Sequence, residues 1–189
     1  MKISGYRMGI LISGMGGEMM KSWSLRKLVL SGILAALVFV VTAFTKIPSP
    51  FVKGAYYHAG DSIIYLSALV LGPAVAAVVS GLGSFLSDLY LGFPLYMFAT
   101  LVIKGLMGGI AGYFLYVPHG RVSWSRKFVG IAAAGLWMAI GYYIFEVFIV
   151  RIVDWRANIP NLFANIAQAF VGAVIFLALS KPLERLKDL

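Results

Sequence analysis

The chain has 189 residues, of which 61% are hydrophobic, 14% aromatic and 12% charged, with no cysteine and a formal net charge of +9. A soluble domain is ~45–50% apolar and ~25% charged, so a soluble enzyme is excluded for want of charge to cover its surface, as are a disordered chain and a disulfide-stapled secreted module. What remains is a compact bundle of membrane helices, in which the positive charge needs no nucleic acid: it fits cytoplasmic loops rich in Lys and Arg.

In chain order, residues 1–27 are expected to be an N-terminal cytoplasmic extension. Lys2 and Arg7 precede an apolar run, Met8 to Ser13, that is too short for a signal peptide and lacks a small-residue cleavage site, so residues 1 to 20 carry no assigned function. Beyond them, residues 28 to 45, 62 to 87, 105 to 120, 128 to 145 and 157 to 180 contain no Asp, Glu, Lys or Arg. Gly72-Pro73 interrupts the second stretch, and proline's missing amide donor makes the pair a tight connection between two helices. Six spans result, at 28–45, 55–71, 74–91, 95–117, 128–150 and 158–180, forming an all-α, polytopic six-transmembrane-helix domain over 28–180 with a cytoplasmic tail at 181–189. Six spans with both termini inside leave Lys2, Arg7, Lys21, Arg26, Lys27, Arg121, Arg126, Lys127, Lys181, Arg185 and Lys187 inside, and only Lys46, Lys53, Arg151 and Arg156 outside. Five spans would lose that bias.

Four ionisable residues fall at membrane depth: Asp61, Asp88, Lys104 and Glu146. Such groups are costly in a bilayer and default to functional candidates. Counted along the spans, all four lie in or near the outer half, and each joins a polar stripe at helical spacing. The stripes are Tyr57-Asp61-Tyr65, Ser80-Ser84-Asp88, Tyr96-Thr100-Lys104, Met138-Tyr142-Glu146 and, on the last span, Asn158-Asn161-Asn165-Gln168. Polar faces cannot point at lipid without leaving donors and acceptors unpaired, so they should turn inward and meet. The competing reading is structural, with an Asp88–Lys104 ion pair and interhelical amide bonds holding the bundle. An ion relay would need polarity continuing to the inner side, where Ala, Gly, Val, Leu and Ile prevail. The pattern predicts a pocket open outward and closed below.

Tyr56, Tyr57, Tyr65, Phe93, Tyr96, Trp137, Tyr142 and Tyr143 offer flat faces to a small planar heteroaromatic, and three carboxylates against one lysine favour a neutral or cationic ligand. The expected substrate-binding set is Tyr57, Asp61, Tyr96, Thr100, Lys104, Trp137, Tyr142, Glu146, Asn161, Asn165 and Gln168. Asp88 serves either structure or substrate. The first outer loop, Lys46 to Gly54 with Pro48 and Pro50, is long enough to act as a lid. No phosphate-binding G-x-x-x-x-G-K-[ST] loop is present, and two histidines, His58 and His119, without cysteine give zinc or Ser-His chemistry little to build on. No catalytic or metal-ligating residue is therefore assigned. A pocket with no energy source implies a partner. Small-residue pairs that let helices approach occur on span 1 as Ser31-x-x-x-Ala35 and Gly32-x-x-x-Ala36, and on span 4 as Gly105-x-x-x-Gly109 and Gly108-x-x-x-Gly112.

The stretch Gly60-Asp61, Gly72-Pro73, Gly81-Leu82-Gly83-Ser84, Asp88-Leu89, Gly92-Phe93 and Ile103-Lys104-Gly105-Leu106 resembles the membrane-embedded substrate-binding (S) components of energy-coupling-factor (ECF) vitamin transporters. It is most similar to the riboflavin-type and hydroxymethylpyrimidine- or pyridoxine-type branch. The resemblance implies capture of a B-vitamin under the first outer loop, in the plasma membrane of a prokaryote. It also implies association with a transmembrane coupling (T) subunit and two cytoplasmic ATPases, with toppling of the bundle delivering the ligand inward. The family's A-x-x-x-A docking pattern on the first helix would correspond here to Ser31, Gly32, Ala35 and Ala36. Riboflavin ranks first on the supply of aromatics, with pyridoxine or hydroxymethylpyrimidine for a smaller site. The readings from other classes are a membrane enzyme using Asp61, Asp88 and Glu146 with a divalent metal, and a solitary passive carrier.

Overall fold

The computed structural model describes residues 25–53, 55–118 and 120–184. Six α-helices follow one another: α1 Leu25–Phe44, α2 Asp61–Leu71, α3 Pro73–Leu91, α4 Pro94–Leu115, α5 Trp124–Ile144 and α6 Ile159–Glu184. A π-helical turn, Phe145–Ile149, prolongs α5, and two short strands, β1 Ile47–Pro48 and β2 Tyr56–Tyr57, pair antiparallel between α1 and α2. Most of the expected extension, the end of the tail, Gly54 and His119 lie outside the described residues, and with them Lys2, Arg7, Lys21, Arg185 and Lys187.

Five helices are long and apolar enough to cross a membrane; α2 is not. The span expected at 55–71 is thus corrected to a helix of 11 residues, which at ~1.5 Å per residue reaches about half of a ~30 Å hydrocarbon layer. The chain before it is extended, and the bundle satisfies its backbone. The amide of His58 donates to Gln168 Oε1 at 3.1 Å, that of Ala59 to Thr45 Oγ1 at 2.9 Å, and that of Gly60 to His58 Nδ1 at 3.0 Å. Gly60 is required at the junction, since a Cβ there would come within 2.1 Å of Thr42 Oγ1.

α2 is surrounded by α1, α3, α4 and α6. Nine of its residues are buried, which explains why its sequence is apolar all round instead of amphipathic. It ends at Gly72, whose φ of +81° suits glycine, and Pro73 opens α3 at once, where its missing amide costs nothing. The small residues of span 4 serve packing within the bundle. Added Cβ atoms at Gly108 and Gly112 would meet Ala76 O at 2.7 Å and Pro73 Cα at 2.6 Å, so α3 and α4 touch backbone to backbone. An apolar core of Val38, Ile64, Tyr65, Leu69, Met107 and Phe176 fills the bundle below the polar residues.

Candidate ligand cavity

At the β-hairpin end, the polar stripes of α2, α3, α4, α5 and α6 meet as the helical spacing requires. Asp61, in the first turn of α2, forms a buried ion pair with Lys104 of α4 and accepts a 2.7 Å hydrogen bond from Gln168 Nε2 of α6. The Lys104 ammonium also lies 5.7 Å from the Tyr142 ring centroid. The Asp88–Lys104 ion pair of the competing structural reading is not formed. Asp88 instead accepts a 2.5 Å hydrogen bond from Tyr56 of β2, whose ring stacks on Phe93 at 5.1 Å.

Glu146 sits in the π-helical turn. Its Oε2 accepts from Asn158 Nδ2 at 3.0 Å and Asn161 Nδ2 at 2.8 Å, and its Oε1 from Tyr96 at 3.2 Å. The wider turn bends the end of α5 and delivers a carboxylate to the amide row of α6, a common use of π-turns at functional sites. Asn161 in turn accepts from the hydroxyl of Tyr57 and from Ser49 Oγ at 3.2 Å, which fastens the hairpin to α6. Thr100 and Tyr142 share a 3.1 Å hydrogen bond.

Between these groups lies a cavity of only about 30 Å³. Tyr96, Thr100, Tyr142, Glu146, Asn165 and Gln168 line it, together with Asp88. Asp61 and Asn161 stand one hydrogen bond behind the wall, and Lys104 and Tyr57 one bond further back. Trp137 does not reach it: the indole is 37% exposed on the outside of α5 and donates to Ile103 O at 3.0 Å. Tyr65 lies below in the apolar core, its ring against Phe176.

Thr42, Tyr56, His58 and Ser84 also line the cavity. Ser84 stands on the polar stripe of α3, one turn before Asp88, and that spacing was the available signal. Thr42 is the one buried polar residue in the second half of α1, otherwise an apolar helix. Tyr56 and His58 alternate with Tyr57 because this segment is extended, with a period of two. Read as helix, the sequence selected Tyr57 on the i+4 row. His58 Nδ1 accepts from the Gly60 amide and so keeps its lone pair.

Two electrostatic facts define what this cavity can hold. Of its three carboxylates only Asp61 is paired with a cation among the described residues. Thr42 Oγ1, Ser84 Oγ and Asp88 Oδ2 are buried without any hydrogen-bond partner, whereas nearly all buried polar groups find one. The three carboxylates are held by different partners and do not converge. Span 1 also divides. Ser31 is buried with its hydroxyl on Lys27 O at 2.7 Å, and Ala35 packs against Gly83 of α3, whereas Gly32 and Ala36 are exposed.

A family model described as "ECF-type riboflavin transporter, S component" matches residues 22–185. The chain is 32% identical over 168 residues to the thiamine precursor transporter HmpT of Lactococcus lactis subsp. cremoris, covering 89% of this chain and 93% of that protein. It is 38% identical over 139 residues to an uncharacterized protein of Pyrococcus woesei, covering 73% and 88%. A crystal structure of FolT bound with folic acid shares the fold at a TM-score of 0.66 and 17% identity, covering 82% of this chain and 93% of that one. The chain therefore belongs to the ECF-type riboflavin transporter S component family, non-enzymatic multi-pass subunits of the prokaryotic plasma membrane that bind vitamin-type substrates.

Proposed function

We propose that the chain captures a single-ring heteroaromatic vitamin or vitamin precursor carrying amino or hydroxymethyl groups, with hydroxymethylpyrimidine first and pyridoxine second. The observation that carries this is the wall of unpartnered polar atoms, Thr42 Oγ1, Ser84 Oγ and Asp88 Oδ2, in so contracted a cavity. An exocyclic amine or hydroxymethyl group would donate to Asp88 Oδ2, the two hydroxyls would donate to or accept from the ring's heteroatoms and substituents, and Tyr96 and Tyr142 would flank the ring. The likeness to a thiamine precursor transporter supports the same choice. Riboflavin, ranked first on aromatic supply, is the second reading because the matching family model is described by it. Its three fused rings and ribityl chain need a larger opening.

Titration calorimetry of the detergent-purified chain with hydroxymethylpyrimidine, pyridoxine and riboflavin tests this. The pyrimidine should bind most tightly, and Asp88→Asn should weaken it about 10- to 150-fold, the value of one charged hydrogen bond of ~1.5–3 kcal/mol. Yellow protein, or quenching of riboflavin fluorescence that the pyrimidine does not reverse, restores riboflavin.

S components work with transmembrane and ATPase subunits. In the arrangement proposed here both termini are cytoplasmic, the cavity faces outward, and the T subunit of a module with two ATPases docks on the face of α1 bearing Gly32 and Ala36. A Cβ at Gly32 would meet nothing within 4 Å, so another helix has room to approach.

A further inference from the structure

At the end of the bundle away from the cavity, two hollows lie one after the other along α5 and α6. One is a recess of about 540 Å³ bordered by Arg121, Trp124, Lys127, Lys181 and Glu184. The other is an apolar groove of about 380 Å³ between the same two helices. Helical spacing makes them continuous. Trp124, Phe128, Ile131 and Gly135 form one row on α5, and Phe170, Ala173, Leu177 and Lys181 form the facing row on α6.

Gly135 and Ala169 form the floor of the groove, where the two helices come close: a Cβ on Gly135 would lie 2.9 Å from that of Ala169. Along α6 it runs from Ile166 to Leu177, or about 16 Å at ~1.5 Å per residue, which matches half of a ~30 Å hydrocarbon layer. At its mouth the charges do not cancel. Lys127 is 4% exposed and ion-paired with Glu184 at 2.8 Å, whereas the exposed Arg121 and Lys181 form no ion pair among the described residues. Trp124, over which the Lys127 ammonium sits at 5.1 Å, is half exposed at this level as an interfacial tryptophan would be.

From this continuity we propose that the recess and groove bind one anionic glycerophospholipid, with its phosphate between Arg121 and Lys181 and an acyl chain along the α5–α6 seam. The cations select the headgroup, and the length of the groove selects a chain that ends at the bilayer midplane. This inference is independent of which vitamin occupies the cavity.

Native mass spectrometry of the full chain, with phosphatidylglycerol and phosphatidylcholine of equal chain length, is the test. One phosphatidylglycerol should be retained in preference to phosphatidylcholine. Each cation near an anionic headgroup is worth about five-fold in affinity, so R121Q/K181Q should weaken retention about 25-fold, while K53Q on the opposite loop leaves it unchanged. Ala132→Phe, which narrows the groove from an exposed position, should weaken retention without touching the cations. Millimolar glycerol 3-phosphate should not displace the lipid. Melting temperature and vitamin binding of R121Q/K181Q should match the wild type. Equal retention of the two lipids, unchanged preference in the double variant, or displacement by glycerol 3-phosphate overturns the proposal. So does loss of a co-purifying coupling subunit from R121Q/K181Q with lipid retention intact, which would give this face to a protein.

Discussion

Replacing Lys104 by Met tests whether the polar centre is a charge-balanced network. Lys104 and Asp61 are 1% and 0% exposed, and among the described residues Lys104 is the only cation in contact with Asp61. Without the ammonium, Asp61 keeps Gln168 Nε2 but no positive charge, and removing one partner of a buried pair costs about 3–5 kcal/mol. On the scale of ~2–4 °C per kcal/mol for domains of this length, the Lys104→Met protein should melt about 6–20 °C lower, read by tryptophan fluorescence in detergent. Asp61→Asn should cost a similar amount by stranding the lysine. The double variant D61N/K104M carries no buried charge at this point, so it should recover most of the loss and give a coupling energy of ~2 kcal/mol or more. A double variant whose loss equals the sum of the two single losses, within ~0.5 kcal/mol, would refute the pairing and return Lys104 to Asp88.

Three further outcomes follow from particular contacts. Glu146→Gln keeps one oxygen for the two amide donors but turns an NH₂ toward the Tyr96 hydroxyl that now donates there and removes the charge from the cavity wall; it should weaken vitamin binding at least 10-fold by calorimetry while lowering the melting temperature. Gly112→Ala drives a Cβ to 2.6 Å from Pro73 Cα and should cost about 1–3 kcal/mol in a thermal melt. Gly32→Leu should leave melting and binding unchanged and reduce only co-purification with the coupling subunit.

Much of this architecture is legible in the sequence because membrane helices announce themselves by length and lack of charge. The boundaries of α1, α3, α4 and α6 fall within a few residues of the expected spans, and Gly72-Pro73 separates two helices as its chemistry demands. The amide row on α6 was readable from spacing alone, and it is what gathers Glu146, Asp61, Tyr57 and the His58 amide. The second span misled for a physical reason. Ala55 to Gly60 is apolar and aromatic enough to pass for helix, and only the rest of the bundle shows that its backbone is satisfied by Gln168, Thr45 and His58. That one change of period exchanged Tyr57 for Tyr56 and His58 in the cavity wall. It also moved Asp61 to a helix N-terminus, where the backbone dipole favours a carboxylate and Lys104 can reach it. The choice between Asp61 and Asp88 as partner of Lys104 could not be made from spacing, because both lie on inward rows at similar depth.

The groups that hold the hairpin down are the same groups a ligand would use. Tyr56 takes one oxygen of Asp88 and leaves the other without a donor, while Tyr57 and Ser49 occupy Asn161, which also braces Glu146. A ligand entering the cavity must therefore do more than fill space: it has to complete Asp88, Ser84 and Thr42 without releasing Tyr56. On the proposed reading, with so little free volume, the hairpin would lift to admit the ligand, and its return would restore the Tyr56–Asp88 and Tyr57–Asn161 bonds around the occupant. Capture and closure would then be one event, with affinity depending on lid contacts as well as ligand contacts. Tyr56→Phe separates the two contributions, since it removes a lid hydroxyl and keeps the stacked ring. If closure contributes to affinity, this variant should release bound vitamin faster with little change in association rate, in stopped-flow measurements. A Tyr56→Phe protein with wild-type dissociation would show that the hairpin covers the site without contributing to its hold.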